Sequence, residues 1–354
     1  MKGVLLKTDI SNRILGLDIL RCAAIMSVLV AHSLNIAPNW IKSSLAGIMC
    51  HDGVTMFFVL SGFLIGNILI KSFNNKEVTV RTLTKFWINR WFRTLPPYFF
   101  ILAVLIFTAY VLKISPYGHG ILPAKKDVLH YFFFLQNFNW PNIPFFAESW
   151  SLAVEEWFYL LTPVVATHKI ARLNIKHTFL VTIILFSLFS IAVRCIKFFN
   201  SAELDAVYYY DSDFRKQVIT RFDSMMIGVF AAYIAYYFKK FWENKKYYFF
   251  VAGLILFLLP KMAGLTGINN IKPYFYFYIL SFSIESFAYF CFLPLLHSIK
   301  TVSGLSSKTN FNKMRIGSYI KWVGGKHLYY SDIHKYDFIF AISPAFFINR
   351  IYDY

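Results

Sequence analysis

Charged residues are scarce in this sequence. Asp, Glu, Lys and Arg make up 15% of its 354 residues, whereas soluble domains carry about a quarter. Hydrophobic residues reach 57%, and apolar runs recur from residue 14 to residue 348, so little chain is left for a soluble domain. We therefore expect residues 1–354 to form a single integral membrane domain.

Cysteine is equally sparse, with four residues that form no CxxC pair and show no spacing typical of a metal site. The sequence therefore predicts no bound metal. A cleavable signal peptide is not indicated either, because the first apolar run contains Arg21 and lacks a small-residue cleavage site. We expect this run to remain as a transmembrane span.

Helical spans of a membrane need about 20 mostly apolar residues, and nine segments of the chain fit this requirement. The sequence therefore predicts an all-α fold, a polytopic transmembrane helical bundle of nine to ten spans. Segment 130–147 is aromatic and contains Pro141 and Pro144, so we expect it to be re-entrant or interfacial. The predicted spans are 15–35, 53–71, 96–114, 150–167, 178–197, 218–238, 247–262, 274–297 and 335–350.

Lys and Arg outnumber Asp and Glu by 36 to 18, and they cluster in short segments between the apolar runs. Such segments stay in the cytoplasm, and here they alternate with segments poor in basic residues. We therefore expect a multi-pass protein with a cytoplasmic N-terminus, and a nucleic-acid ligand is disfavoured. Nine spans would place the C-terminus outside, and ten would return it to the cytoplasm. The basic segments are 1–13, 72–93, 168–177, 239–246 and 298–334.

The first predicted span carries charges that are costly inside a bilayer. Arg21 and His32 are eleven residues apart, which places them on one helix face with about 16 Å of rise between them. Asp18 lies one turn before Arg21 on the same stripe. Charged residues inside a span mark a functional site by default. The alternative is a structural Asp18–Arg21 pair with a histidine at the outer interface.

Further candidate residues occur before or within later spans. Arg90 and Arg93 are one helical turn apart, and guanidinium groups bind phosphate well, although basic side chains also gather at a cytoplasmic interface without any ligand. Glu155 falls within an apolar helix face and is the acid most suited to burial. Arg221 and Asp223 point to different helix faces, so we expect Arg221 to pair with another helix.

Taken together, these stretches resemble the membrane acyltransferase 3 family, which includes bacterial O-antigen and other polysaccharide O-acetyltransferases. The resemblance implies transfer of an acyl group, usually acetyl, from cytoplasmic acyl-CoA to a hydroxyl of a glycan or lipid-linked sugar outside the bacterial inner (plasma) membrane. The matching motifs are GLDILR with Arg21–X10–His32, FFVLSGFLI at 57–65, Arg90–X2–Arg93 followed by LPPYF, WSLAVEEWFYLLTP at 150–163 and RFDSMMIG at 221–228.

The resemblance also implies that Arg21 and His32 are needed for activity and that the paired arginines contribute. Because histidine is suited to proton removal near neutral pH, we assign His32 as the general base, oriented by a buried acid such as Glu155. Arg221 suits either the donor or a developing negative charge. The expected catalytic residues are His32, Arg21 and Glu155, and the expected donor-binding residues are Arg90, Arg93 and Arg221.

The expected donor substrate is acetyl-CoA, with no permanently bound cofactor. Membrane lipid surrounds such a protein, and a partner transferase is a further expectation because no fused extracytoplasmic domain is evident. Two other classes stay open. A glycan transporter or flippase would line its pathway with these charges, and an inactive membrane paralogue would fit the C-terminal third, where GGKHLYYSDIHKYDFIF at 324–340 departs from the family pattern.

Overall fold

The computed structural model describes residues 14–33, 53–75, 78–111, 124–167, 174–200, 210–265 and 276–299. Within these ranges the chain forms helices and no strand, which confirms the all-α prediction. A 3-10 helix precedes α5, and π-helical turns occur at Tyr210–Arg215 and Tyr276–Leu280. The α-helices are α1 (Leu15–Ser33), α2 (Gly53–Asn75), α3 (Val80–Tyr110), α4 (Lys125–Phe132), α5 (Trp150–Thr167), α6 (Ile175–Asn200), α7 (Phe222–Tyr237), α8 (Lys239–Asn244), α9 (Lys246–Leu265) and α10 (Ser281–Ser298).

Five helices of the described ranges are long and apolar enough to cross a membrane: α1, α2, α3, α6, and α10 with the π-helical turn before it. α7 and the first part of α9 occupy predicted spans, but they are shorter apolar helices. α5 occupies the predicted span 150–167 and carries two carboxylates near its start. The predicted span 335–350 lies outside the described residues. The count of nine to ten spans is therefore not confirmed.

α3 differs most from its prediction, because it begins at Val80 rather than at residue 96 and continues for 31 residues. Thr79 caps its start, where the side-chain oxygen accepts a hydrogen bond from the backbone N–H of Thr82 at 3.3 Å. Pro96 and Pro97 lie inside the helix without ending it. Membrane helices tolerate proline because neighbouring groups satisfy the freed backbone. The prediction started the span at the prolines and so missed about four helical turns.

Glycines allow α2 and α7 to pack closely at the centre of the bundle. A Cβ atom on Gly62 would lie 2.0 Å from the carbonyl oxygen of Met225, and one on Gly228 would lie 2.1 Å from that of Val59. Small residues of this kind let membrane helices approach until their backbones touch. Around this pair, α1 and α10 pack against α2, α6 packs against α7, and α9 packs against α10.

The segment between α3 and α5 contains no described helix long enough to span a bilayer, since α4 has 8 residues and the 3-10 helix Pro144–Ser149 has 6. Hydrogen bonds of Tyr131 connect the parts of this segment. Its hydroxyl donates to the carbonyl oxygen of Ile143 at 2.6 Å and accepts from the backbone N–H of Phe146 at 3.0 Å. Burial raises the pKa of Tyr131, so the phenol stays protonated and keeps its donor role. The Tyr98 hydroxyl of α3 donates to the Tyr131 carbonyl at 2.7 Å.

Large apolar side chains are exposed on the outward faces of α3 and α6. Phe92 is 78% exposed and Phe100 is 70% exposed on α3, and Leu188 is 60% exposed on α6. Soluble proteins rarely expose contiguous apolar patches of this kind. These faces therefore suit contact with lipid, while the polar residues described below turn inward.

Candidate active site

α1 carries the first predicted site residues on one continuous helix. The Arg21 guanidinium donates to the Asp18 carboxylate through Nη1 and Oδ1 at 2.9 Å, and both side chains are buried. The structure therefore pairs the acid and the arginine, as the structural alternative expected. The pair also stabilises a positive charge at a buried position, since an opposite charge at this distance favours the ionised guanidinium.

His32 lies in the last turn of α1 and is half-buried. Three charged side chains from other segments act electrostatically on its ring: Glu148, Arg215 and Lys216. The Arg215 guanidinium is positioned over the indole of Trp150, 5.1 Å from the ring centroid. We refer to His32, Glu148, Arg215 and Lys216 as the histidine cluster. It gathers an imidazole, an acid and two cations at one end of α1.

A second cluster joins α2, α3 and α5 around a buried acid. The Glu155 carboxylate accepts hydrogen bonds from the Ser61 hydroxyl at 3.4 Å and from the Tyr159 hydroxyl at 2.9 Å. Arg90 Nη2 donates to the same Tyr159 oxygen at 2.9 Å, and its guanidinium lies 4.5 Å from the Tyr159 ring centroid. The Trp87 indole N–H donates to the Tyr159 carbonyl at 3.0 Å. We refer to Ser61, Arg90, Glu155 and Tyr159 as the acid cluster.

The neighbouring carboxylate of α5 also faces α3. The Thr94 hydroxyl donates to Glu156 at 2.7 Å, and both side chains are buried. Arg93 lies between Arg90 and Thr94 in sequence and is half-buried. Arg90 is half-buried as well, and Tyr159 holds its guanidinium beside the two acids of α5.

Arg221 is fully buried at the start of α7 and contacts other helices, as expected. Its Nη2 donates to the Thr55 hydroxyl of α2. Its guanidinium lies 4.3 Å from the ring centroid of Phe282 on α10 and 5.5 Å from that of Phe58 on α2. The contacts on α2 and α10 tie the arginine to two helices, through a hydroxyl and the faces of two aromatic rings.

The nearby Asp223 pairs with Arg194 of α6, a residue that the sequence analysis did not single out. Arg194 donates to both carboxylate oxygens of Asp223, at 3.2 and 2.8 Å, and to the hydroxyl of Ser283 at 2.8 Å. Ser283 in turn donates to Asp223 at 2.6 Å. We call Arg194, Asp223 and Ser283 the helix clasp, since they join α6, α7 and α10. The available signal was an arginine inside a predicted span, with an acid in the next one.

The structure thus brings Arg90 and Glu155 into one cluster through Tyr159, pairs Arg21 with Asp18, and surrounds His32 with a different set of charges. Orientation of His32 by Glu155 stays a prediction, as do the donor-binding roles of the arginines. Chemically, the histidine cluster offers an imidazole able to accept a proton. The acid cluster offers a cation held in a fixed position inside an apolar bundle.

Comparison with known proteins identifies the family. A family model described as an acyltransferase domain matches residues 14–309. O-acetyltransferase OatA of Staphylococcus aureus (strain NCTC 8325 / PS 47) is 27% identical over 229 residues, which cover 62% of this chain and 34% of that protein. A putative O-acetyltransferase of Staphylococcus aureus (strain COL) is 27% identical over 230 residues, with coverage of 62% and 34%.

The match thus spans about a third of the length of these curated relatives. No solved structure matches the chain. The family model, by contrast, covers most of the chain and includes both clusters and the helix clasp. This chain therefore belongs to the acyltransferase 3 family, the family identified from its motifs.

Proposed function

We propose that this chain is a membrane-embedded O-acyltransferase, acting as an O-acetyltransferase, that moves an acyl group from cytoplasmic acyl-CoA to a hydroxyl of an extracytoplasmic glycan such as O-antigen, capsule or exopolysaccharide. The observation that carries this proposal is the presence of the histidine cluster and the acid cluster inside an apolar bundle. Polar and ionisable groups in such a bundle are costly, so they mark a functional pathway. Family membership supplies the class of reaction.

In the proposed reaction His32 accepts the proton of the acceptor hydroxyl. The hydroxyl oxygen attacks the carbonyl carbon of the acetyl thioester, a C–O bond forms and the C–S bond breaks. The CoA thiolate leaves and takes up the proton from His32. Arg21 lies about 16 Å along the same helix, and we assign it to the negative charge of the donor as the donor extends along α1. Glu155 contributes by fixing the interior charges through Tyr159.

The proposed donor-binding residues are Arg90, Arg93 and Arg221. Guanidinium groups suit the phosphates of CoA because they bind phosphate bidentately. Replacing Arg93 with Ala is expected to raise the KM for acetyl-CoA at least tenfold, because the variant loses a guanidinium that can bind phosphate. Steady-state kinetics at varied acetyl-CoA would measure the change. An unchanged KM would remove Arg93 from the donor site.

The main experiment follows radioactive acetyl groups from acetyl-CoA into glycan. The full chain is reconstituted in liposomes and supplied with surface glycan extracted from cells that lack the gene. We expect alkali-labile label in the glycan with the unaltered protein. We expect none with His32→Ala, because the general base is lost while the protein still inserts. Mass spectrometry of surface glycan from cells with and without the gene provides the matching measurement in vivo.

The alternatives give different results in the same experiment. A transporter or flippase would move glycan across the bilayer without incorporating label, and an inactive paralogue would give neither outcome. Full label transfer by the His32→Ala protein would remove His32 as the base.

We also propose that the protein resides in the bacterial inner membrane with its N-terminus in the cytoplasm. Membrane lipid surrounds it there, and a separate transferase is a proposed partner.

A further inference from the structure

Three amide side chains beside the histidine cluster are completely buried: Gln136, Asn137 and Gln217 each have 0% exposure. They lie on two segments joined by backbone hydrogen bonds. The N–H of Val218 donates to the carbonyl oxygen of Asn137 at 2.9 Å, and that of Ile219 donates to Phe138 at 3.4 Å. The three amides therefore occupy one small region between the start of α5 and the start of α7.

The orientation of two of these amides follows from their donors. The side-chain N–H groups of Gln136 donate to the carbonyl oxygen of Ser149 at 3.4 Å and to its hydroxyl at 3.1 Å. Those of Asn137 donate to the carbonyl oxygens of Trp150, at 3.0 Å, and Lys216. A carbonyl oxygen only accepts hydrogen bonds, so the amide nitrogen must face it.

The same argument fixes Gln217, whose side-chain nitrogen donates to the Asp213 carboxylate at 3.2 Å. In each residue the amide oxygen therefore points away from these partners. The side-chain oxygens of Gln136, Asn137 and Gln217 have no hydrogen-bond partner within the described part of the chain. Leaving a buried acceptor without a donor is costly, so three such acceptors in one region call for donors from outside the protein, either ordered water or a ligand.

Lys216 connects this region to His32. Its backbone carbonyl accepts the hydrogen bond from the Asn137 amide, and its side chain acts electrostatically on His32 together with Arg215. The amide oxygens thus lie on the segments that also supply the charges around the proposed base. A ligand with several hydroxyl groups offers the donors that amide oxygens accept.

We propose that Gln136, Asn137 and Gln217 form a subsite for the acceptor glycan. Their side-chain oxygens accept hydrogen bonds from sugar hydroxyls next to the hydroxyl that His32 deprotonates. The subsite rests on the proposed function and adds the residues that select a polyhydroxylated acceptor. These side chains position the sugar and take no part in proton or acyl transfer.

The test is Gln217→Met, which retains the approximate shape of the side chain and removes both the acceptor oxygen and the N–H that donates to Asp213. The assay is the label transfer described above. In one series the amount of glycan from gene-deleted cells is varied at saturating acetyl-CoA. In a second series acetyl-CoA is varied at saturating glycan. We expect the glycan concentration for half-maximal transfer to rise about tenfold, the effect of losing one well-formed hydrogen bond. The KM for acetyl-CoA is expected to stay unchanged. Gln136→Met serves as a second variant if the first fails to insert.

Asn67→Leu provides the control, because Asn67 on α2 donates to the carbonyl oxygen of Phe63 one turn earlier and lies outside both clusters. It should leave both concentration dependences unaltered. Unchanged glycan dependence in the Gln217 and Gln136 variants would overturn the subsite and show that ordered water alone meets these oxygens. Absence of label transfer by the unaltered protein would instead overturn the proposed function.

Discussion

Tyr159 is the residue that connects the charges of α3 with those of α5. Its hydroxyl donates to Glu155 and accepts from Arg90, so a single oxygen fixes the relative positions of a carboxylate and a guanidinium. Its ring is fully buried and lies under the same guanidinium. The phenol of Tyr159 thus bridges the Arg90 guanidinium of α3 and the Glu155 carboxylate of α5. Tyr159 is therefore a positioning residue.

Replacing Tyr159 with Phe removes the hydroxyl and retains the ring. We expect kcat/KM for acetyl-CoA to fall about tenfold, since Arg90 and Glu155 each lose one hydrogen bond. Tyr289→Phe is the matched control, because Tyr289 is also buried and donates to Glu285 one turn earlier at 3.0 Å, on α10. Steady-state kinetics would compare the two variants. Equal effects of both would show that Tyr159 contributes only to stability.

Sequence periodicity accounts for part of the site at this scale. The eleven-residue spacing placed Arg21 and His32 on one helix, and the structure confirms that the helix is continuous. Tyr159 and Arg194 were missed because their partners lie on other helices, and spacing within one helix does not show which neighbours face each other. Gln136 and Asn137 were missed for the same reason, since their side-chain N–H groups donate to carbonyl oxygens of other segments.

At the scale of elements, the contact between α2 and α7 depends on glycine. We expect Gly62→Ala to destabilise the protein by about 1–3 kcal/mol, because the new Cβ would lie 2.0 Å from the backbone oxygen of Met225 and the helices must separate. Thermal unfolding in detergent would measure the lower midpoint. Gly253→Ala is the control. Its new Cβ would lie 2.8 Å from the Phe292 ring, and a side chain can move aside where a backbone oxygen cannot.

Hydrophobicity predicted most element positions but not all element lengths. The starts of α1, α2 and α5 agree with the predicted spans within a residue. α3 is longer because its first turns are amphipathic, and a search for apolar runs passes over them. At about 1.5 Å per residue its 31 residues extend roughly 46 Å, beyond the hydrocarbon core of about 30 Å. Its first turns, with Arg81 and Lys85, therefore suit a membrane–water interface.

At the scale of the whole molecule, loop charge predicts the orientation of every segment. In a background without the four native cysteines, we expect Asn139→Cys to react with a membrane-impermeant maleimide added to intact cells. Lys240→Cys should react only after the membrane is opened, because basic segments stay in the cytoplasm. Both positions are exposed. Labelling of the second position in intact cells would contradict a cytoplasmic N-terminus.

The helix clasp has a consequence for how the protein is made. Arg194 lies on α6 and Asp223 on α7, and each alone would be an isolated charge in hydrocarbon, at a cost of about 2.5–3.5 kcal/mol or more. Insertion of either helix into lipid by itself is therefore unfavourable. We expect α6 to remain at the translocon until α7 emerges, so that Arg194 and Asp223 enter the bilayer as a neutral pair. A salt bridge of the finished fold thus predicts that these two helices insert together.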